Sequence, residues 1–257
     1  MISTERRQEI EGELAAMEQR EGVRILLAVE SGSRAWGFPS ADSDYDVRIV
    51  YAHPRDWYLS VFEGRDVIEQ PISGDLDIAG WDLRKTLRLL TGGNAVVHEW
   101  LGSPIVYRER QAEAAVLREL AQAAFDPRAA FHHYLAMAAK KLDVAEGEAI
   151  TAKRFLYGLR TLLCARWVAE RRTAPPMLFS ELLAAFVSEG SAERADIERL
   201  VQLKAGGSEK DIDASLGELL AWGWDMVRQV KAGEAPPAHK LEGDVLDRGF
   251  RRLLEIA

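Results

Sequence analysis

The sequence predicts an α+β fold: a mixed sheet with flanking helices at the N-terminal end, followed by an all-helical C-terminal domain. Three observations predict it. Short apolar runs of strand length, bounded by Gly and Pro, are confined to about the first 105 residues. Beyond about residue 108, long Ala/Leu/Glu/Arg-rich runs at helical spacing take over. "RRTAPPM" and "AGEAPPAH" then break that second stretch into separate helices. The domains expected are therefore 1–108 and 109–257.

Each element follows from local pattern. Residues 3–20 carry Ile10, Leu14 and Met17 at helical spacing. "VRILLAVE" (Val23–Glu30) is short, apolar and bounded by Gly22 and Gly32, as a buried strand is. "YDVRIVYA" (Tyr45–Ala52) is a second strand, stopped by Pro54. "DVIEQPI" and "DLDIAGW" are two more, separated by "SGD", a turn signal. "DLRKTLRLLTGG" reads as a helix capped by Asp82 and ended by Gly92–Gly93. "AVVHEWLGSP" contains another short helix. Helical runs follow at Glu109–Ala124, Ala129–Glu146, Ala149–Arg172, Leu178–Glu189, Ala192–Lys204, Asp211–Lys231 and Leu241–Ile256.

Bulk properties narrow the function. Of 257 residues, 47% are apolar, enough for a real core. The single cysteine, Cys164, rules out an internal disulfide framework and a cysteine-based zinc site within one chain, and fits a reducing, cytoplasmic setting. The first twenty residues are too charged for a signal peptide, and no apolar run would span a bilayer, so no membrane partner is expected. A formal net charge of -8 argues against a general polyanion binder. A local basic patch is available, however. Between Phe125 and Pro175 there are nine Lys and Arg against five Asp and Glu.

The chemistry concentrates in "ESGSRAWGFPSADSDYDVRIVY". Asp44 and Asp46 are two apart at the start of a strand, so their carboxylates point the same way, while Tyr45 and Val47 face the core. Two same-face carboxylates repel unless a proton or a cation sits between them. Hard divalent ions such as Mg²⁺ (or Mn²⁺) use one or two carboxylates, completed by water and substrate phosphate oxygens. A third carboxylate is expected on a neighbouring strand. Asp77, between apolar Leu76 and Ile78, is the candidate, with Asp75 as the fallback. Gly32–Ser33 supplies the complementary turn: Gly lets backbone approach an anionic ligand closely, and Ser33 adds a hydroxyl. Arg34 lies beside that turn, while Trp36 and Phe38 brace the loop.

These residues resemble the DNA polymerase β-like nucleotidyltransferase superfamily, whose signature is Gly-Ser or Gly-Gly, about ten residues, then Asp-x-Asp. More narrowly, "GSRAWGFPSADSDYDVRIVY", "DIAGWDLRKTLRLL", "EWLGSPIVY" and "KRFLYGLRTLLCARW" resemble the YcgL/RlaP-type group of predicted nucleotidyltransferases. The resemblance covers roughly residues 25–170. It implies a minimal polymerase-β-like palm in residues 1–108. It also implies metal-dependent transfer of a nucleoside monophosphate from an NTP to a hydroxyl, with Asp44, Asp46 and Asp77 as metal ligands and catalytic residues. Residues after about 175 carry no motif that assigns them a role.

On the helix around "KRFLYGLR", a step of about 100° per residue sets Lys153, Tyr157 and Arg160 on the face opposite Phe155, Leu159 and Leu162. That face is expected to offer cations to triphosphate or RNA backbone, and Tyr157 to a base. His98, His132 and His133 are read as structural or surface residues. The acceptor expected is an RNA end, as in RNA repair or processing. The alternatives are a protein hydroxyl (AMPylation), a small molecule such as an aminoglycoside, or an idle nucleotide-binding interaction module. Oligomeric state, choice of base and template dependence stay open.

Overall fold

The computed structural model describes residues 2–142, 150–206, 217–241 and 243–256. By its contacts the chain forms two compact units. One comprises Met1–Gly32, Asp44–Ala124 and Lys240–Ala257; the other comprises Ser33–Ser43 and Phe125–His239.

The first unit is built on a five-stranded sheet of order β3-β4-β2-β1-β5. Its strands are β1 (Arg24–Glu30), β2 (Tyr45–Ala52), β3 (Val67–Glu69), β4 (Leu76–Asp82) and β5 (Val106–Glu109). β2 and β4 run parallel, and the other pairs are antiparallel. β1 is buried along almost its whole length because both sheet faces are covered, which is why it reads as a continuous apolar run. On one face α1 (Thr4–Glu21) buries Ile10, Leu14 and Met17 against Ile25, Val47, Ile49, Tyr51 and Ile78. Its N-terminus is capped by the Ser3 side chain, which accepts from the Arg6 N–H, and Gly22 closes it in the left-handed conformation. The other face carries α3 (Leu83–Thr91), α4 (Ala95–Leu101), α5 (Gln111–Ala124) and α11 (Val245–Ile256), which pack on Leu27, Val29, Val50 and Ala52. Alternation along the strands therefore sorts the side chains. Odd-numbered β2 residues meet α1, and even-numbered ones face the α3–α5 side. Asp82 caps α3 as expected, accepting from the Arg84 N–H. It also accepts from the Tyr58 hydroxyl at 2.6 Å, and burial holds its carboxyl above the usual range.

The second unit is helical: α6 (Pro127–Leu142), α7 (Ala152–Arg171), α8 (Phe179–Phe186), α9 (Ala192–Ala205) and α10 (Gly217–Ala232). α7 is its centre, with Phe155, Leu156, Leu159, Leu162, Leu163 and Cys164 fully buried. At Gly158 α6 comes close: a Cβ there would lie 2.7 Å from the Leu142 side chain, so any larger residue would force a shift.

Three expectations need correction. The boundary between residues 108 and 109 does not divide the units. α5 and α11 pack in the same core as the sheet: Val116, Leu117, Leu120 and Leu253 share a cluster with Leu26, Leu27 and Val29. Strand signals also continue past the predicted strands. β5 pairs with β1 at the sheet edge, joining Leu27 to Glu109 and Ala28 to Arg108. Finally, Ser33–Ser43 belongs with the helices rather than with the sheet that precedes and follows it. The far end of the helix expected over Ala129–Glu146 and the start of that over Asp211–Lys231 lie outside the described residues.

Candidate active site

The parallel pairing of β2 with β4 sets Asp46 directly beside Asp77. Leu76 and Ile78 join the α1-side core, so Asp77 must point to the opposite face, the one that Asp46 and Arg48 share. The Arg48 guanidinium fills the space between the two acids. Its Nη2 donates to Asp46 Oδ1 at 3.0 Å and to Asp77 Oδ2 at 2.7 Å, while Nη1 donates to the carbonyls of Val47 and Asp77, both at 3.1 Å. Both carboxylates thus converge on one positively charged nitrogen, which offsets their repulsion. None of the three is sealed from water, with side-chain exposures of 19% for Arg48, 32% for Asp46 and 29% for Asp77.

Asp46 is gripped through its backbone. Glu30, at the end of β1, is completely buried. One of its oxygens accepts from the Asp46 N–H at 2.9 Å, and the other accepts from the Tyr107 hydroxyl. The Ser31 N–H donates to the Asp46 carbonyl at 2.8 Å, and Ser103 Oγ donates to the Glu30 carbonyl at 2.6 Å. Gly32, the first residue of the short helix α2 (Gly32–Trp36), sits against the Asp46 side chain. It has φ 61°, and a Cβ there would lie 2.2 Å from Asp46 Oδ2. Glycine is needed at this position both for the left-handed backbone and to leave room for the carboxylate.

Sequence reasoning passed over Glu30 and Arg48. The signal for Arg48 was present: a residue two beyond Asp46 on a strand must share its face. A charged residue closing an otherwise apolar strand was the only hint of Glu30.

Asp44 lies just before β2 and is exposed. Among the described residues no group of three or more His, Cys, Asp or Glu side chains is placed to hold a metal ion. The structure therefore brings Asp46 and Asp77 together and does not add Asp44 to them as a third member. Asp75, the fallback, pairs with Arg6, and its carbonyl accepts from the Tyr45 N–H at 2.7 Å. Two carboxylates converging on one cationic atom still match what a hard divalent ion requires, since Mg²⁺ is commonly held by one or two carboxylates together with water and phosphate oxygens.

The remaining candidates lie in the second unit. Ser33 is buried, and its hydroxyl donates to Ser43 Oγ at 3.1 Å. Ser43 Oγ in turn accepts from the Ser40 N–H at 2.9 Å, and Arg34 Nη2 donates to the Ser43 carbonyl at 2.5 Å. Lys204, also buried, donates to the Phe38 carbonyl at 3.0 Å and to Ser40 Oγ at 3.4 Å. The loop is thus tied down at both of its ends. Trp36 and Phe38 brace it as expected, with the Trp36 ring 4.9 Å from Tyr157, edge to face, and Phe38 5.1 Å from Phe179.

The cationic face expected on α7 is corrected here. Lys153 is exposed, but Arg160 is only 1% exposed. Its guanidinium lies over Trp36 at 4.3 Å and donates to the Met177 carbonyl at 3.4 Å. Tyr157 is half-buried against Trp36 and Phe38, with Lys141 Nζ 6.0 Å from its ring. Helical spacing separates the two faces of α7 correctly. It does not reveal that an aromatic loop from far upstream covers the polar one. Asp42, exposed in that loop, has its carboxyl held below the usual range, chiefly by the Ser40 side chain, with Lys153 and Lys204 adding to the effect.

Residues 6–252 match the RlaP family, described as an RNA repair pathway DNA polymerase beta family. Over 211 residues the chain is 46% identical to "Uncharacterized protein YcgL" of Bacillus subtilis (strain 168), covering 82% of this chain and 81% of that protein. A crystal structure of a nucleotidyltransferase-like protein from Exiguobacterium sibiricum aligns with 87% of this chain and 72% of its own. Its sequence identity is 11% and its TM-score 0.28.

Proposed function

The chain belongs to the RlaP family of the RNA repair pathway, a DNA polymerase beta family, and on that premise we propose that it transfers a nucleoside monophosphate from an NTP to a hydroxyl at an RNA end. The observation that carries this reading is the Asp46–Asp77 pair, set side by side by strand register and left open to solvent beside Gly32.

In this reading the acceptor hydroxyl attacks the α-phosphorus in line. A new oxygen–phosphorus bond forms, the bond to the bridging oxygen breaks, and pyrophosphate leaves. Asp46 and Asp77 would hold a divalent cation, which when bound makes the hydroxyl more acidic and neutralises charge on the phosphates. Asp77 accepts the proton of the attacking hydroxyl. Glu30 fixes the Asp46 backbone, and Gly32 leaves room for its carboxylate. Ser33, next in the chain, offers its hydroxyl to the triphosphate, with Arg34 beside it in sequence supplying positive charge. Arg160 and Tyr157 act indirectly, by holding Trp36.

An RNA acceptor is supported by the family's description and by the excess of basic residues between Phe125 and Pro175. The test is incubation of the protein with each α-labelled triphosphate, Mg²⁺ or Mn²⁺, and a mixture of RNAs with defined ends, tRNA, bacterial proteins and small aminoalcohols. Label on RNA ends is the expected result. Label on protein or small molecules alone would move the reading to AMPylation or antibiotic-type nucleotidylation. Absence of label on every acceptor, with no pyrophosphate released, would leave only an idle nucleotide-binding module.

A further inference from the structure

We propose that Arg48 is a resident counter-cation of the Asp46–Asp77 pair: it holds the carboxylates in place while no ion is bound and must swing out for a divalent ion to enter. The inference rests on the nucleotidyl-transfer reading, because that reading is what brings a divalent ion to these acids.

Arg48 Nη2 lies between Asp46 Oδ1 and Asp77 Oδ2, at 3.0 and 2.7 Å. A hard ion such as Mg²⁺ needs oxygens at about 2.0–2.1 Å, so it and the guanidinium cannot occupy that point together. Movement is therefore the way to vacate the position. The side chain is not sealed in, being 19% exposed. Swinging out also breaks its Nη1 bonds to the main-chain carbonyls of Val47 and Asp77, which the incoming ion must offset. Two consequences follow. The metal-free protein does not suffer the full repulsion of two bare acids, and an ion arriving alone must work against the cation already present. An ion that comes with triphosphate has help, because the phosphate oxygens offer the displaced guanidinium a new anionic partner.

Mn²⁺ binding, measured by electron paramagnetic resonance and calorimetry, tests this directly. Arg48→Met and Arg48→Gln should each bind Mn²⁺ at least about tenfold more tightly than the unaltered protein, a gain of about 1.4 kcal/mol. Arg48→Lys, which keeps the charge, should stay near the original affinity. Without metal, Arg48→Met should melt at a lower temperature and regain the difference on adding Mn²⁺. Asp46→Asn in the Arg48→Met background should remove the tight binding, which places it at this pair. In the unaltered protein, labelled at arginine nitrogen, the Arg48 Nη resonances should lose their slow-rotation signature as Mg²⁺ is added, a reading that needs no variant to fold. Folded Arg48→Met and Arg48→Gln proteins with unchanged or weaker Mn²⁺ affinity overturn the inference, as does an Arg48→Lys protein that binds as tightly as Arg48→Met. If the unaltered protein binds Mn²⁺ and transfers nucleotide while these outcomes hold, only the role of Arg48 fails. If no form binds Mn²⁺, with or without triphosphate, the metal-dependent reading fails as well.

Discussion

Gly32 and Glu30 carry the sharpest predictions at the scale of single residues. Gly32→Ala places a methyl group 2.2 Å from Asp46 Oδ2 in a left-handed backbone. The flexible carboxylate can give way, so the stability cost is expected to be about 1–2 kcal/mol, mostly from the backbone. Activity should fall far more, because the carboxylate would leave its position beside Asp77. Chemical unfolding set against pyrophosphate release separates the two effects; equal and small losses in both would contradict the close approach. Glu30→Ala takes the acceptor from the half-buried Asp46 N–H and from the buried Tyr107 hydroxyl, and should cost about 2 kcal/mol or more in the same unfolding measurement. Part of this was legible in the sequence. Asp46 and Asp77 follow from strand alternation, which depends only on local spacing. Glu30 does not, since a carboxylate buried against a tyrosine 77 positions away is invisible to any local pattern.

At the scale of elements, amphipathic periodicity found most helices and the four longer or better-bounded strands. β5 escaped because four residues at a sheet edge, half-buried and rich in charge, carry too little alternation to register. The face of α7 was read correctly in angle and wrongly in environment, because Trp36 covers Arg160 through a contact more than a hundred residues apart in sequence. Arg160→Ala is accordingly expected to lower thermal stability clearly, through the lost packing on Trp36, more than it changes the affinity for a free triphosphate. A drop in triphosphate affinity with melting unchanged would restore the exposed-face reading. On α4, burial pushes the His98 imidazole down to about 4. The unfolded chain takes up that proton near pH 6.5, so between about pH 6.5 and 4 unfolding binds more protons and stability falls as the pH falls. Unfolding free energies measured across that range should decline less steeply in His98→Gln than in the unaltered protein.

At the scale of the whole molecule, the chain leaves the sheet unit after Gly32, returns at Asp44, leaves again after Ala124 and returns at Lys240. Composition shifts could mark where strands give way to helices. They could not show that the last helix belongs with the first strands, because α11 looks locally like its helical neighbours. Leu253 is fully buried in the cluster formed by Leu26, Leu117 and Leu120, and Leu253→Ala should cost about 2–5 kcal/mol. A chain ended after residue 239 should lose cooperative unfolding of the sheet, as read by near-ultraviolet circular dichroism. Retention of that transition would mean that α11 contributes little to the core. The RlaP family match, over residues 6–252, likewise spans both units. The reading nevertheless turns on two side chains of adjacent strands, Asp46 and Asp77. Pyrophosphate release with Mg²⁺, triphosphate and RNA, measured for the unaltered protein, Asp46→Asn and Asp77→Asn, decides it: steady release is expected from the first and a loss of about a hundredfold or more in each folded variant, and release undiminished by either substitution would overturn the assignment.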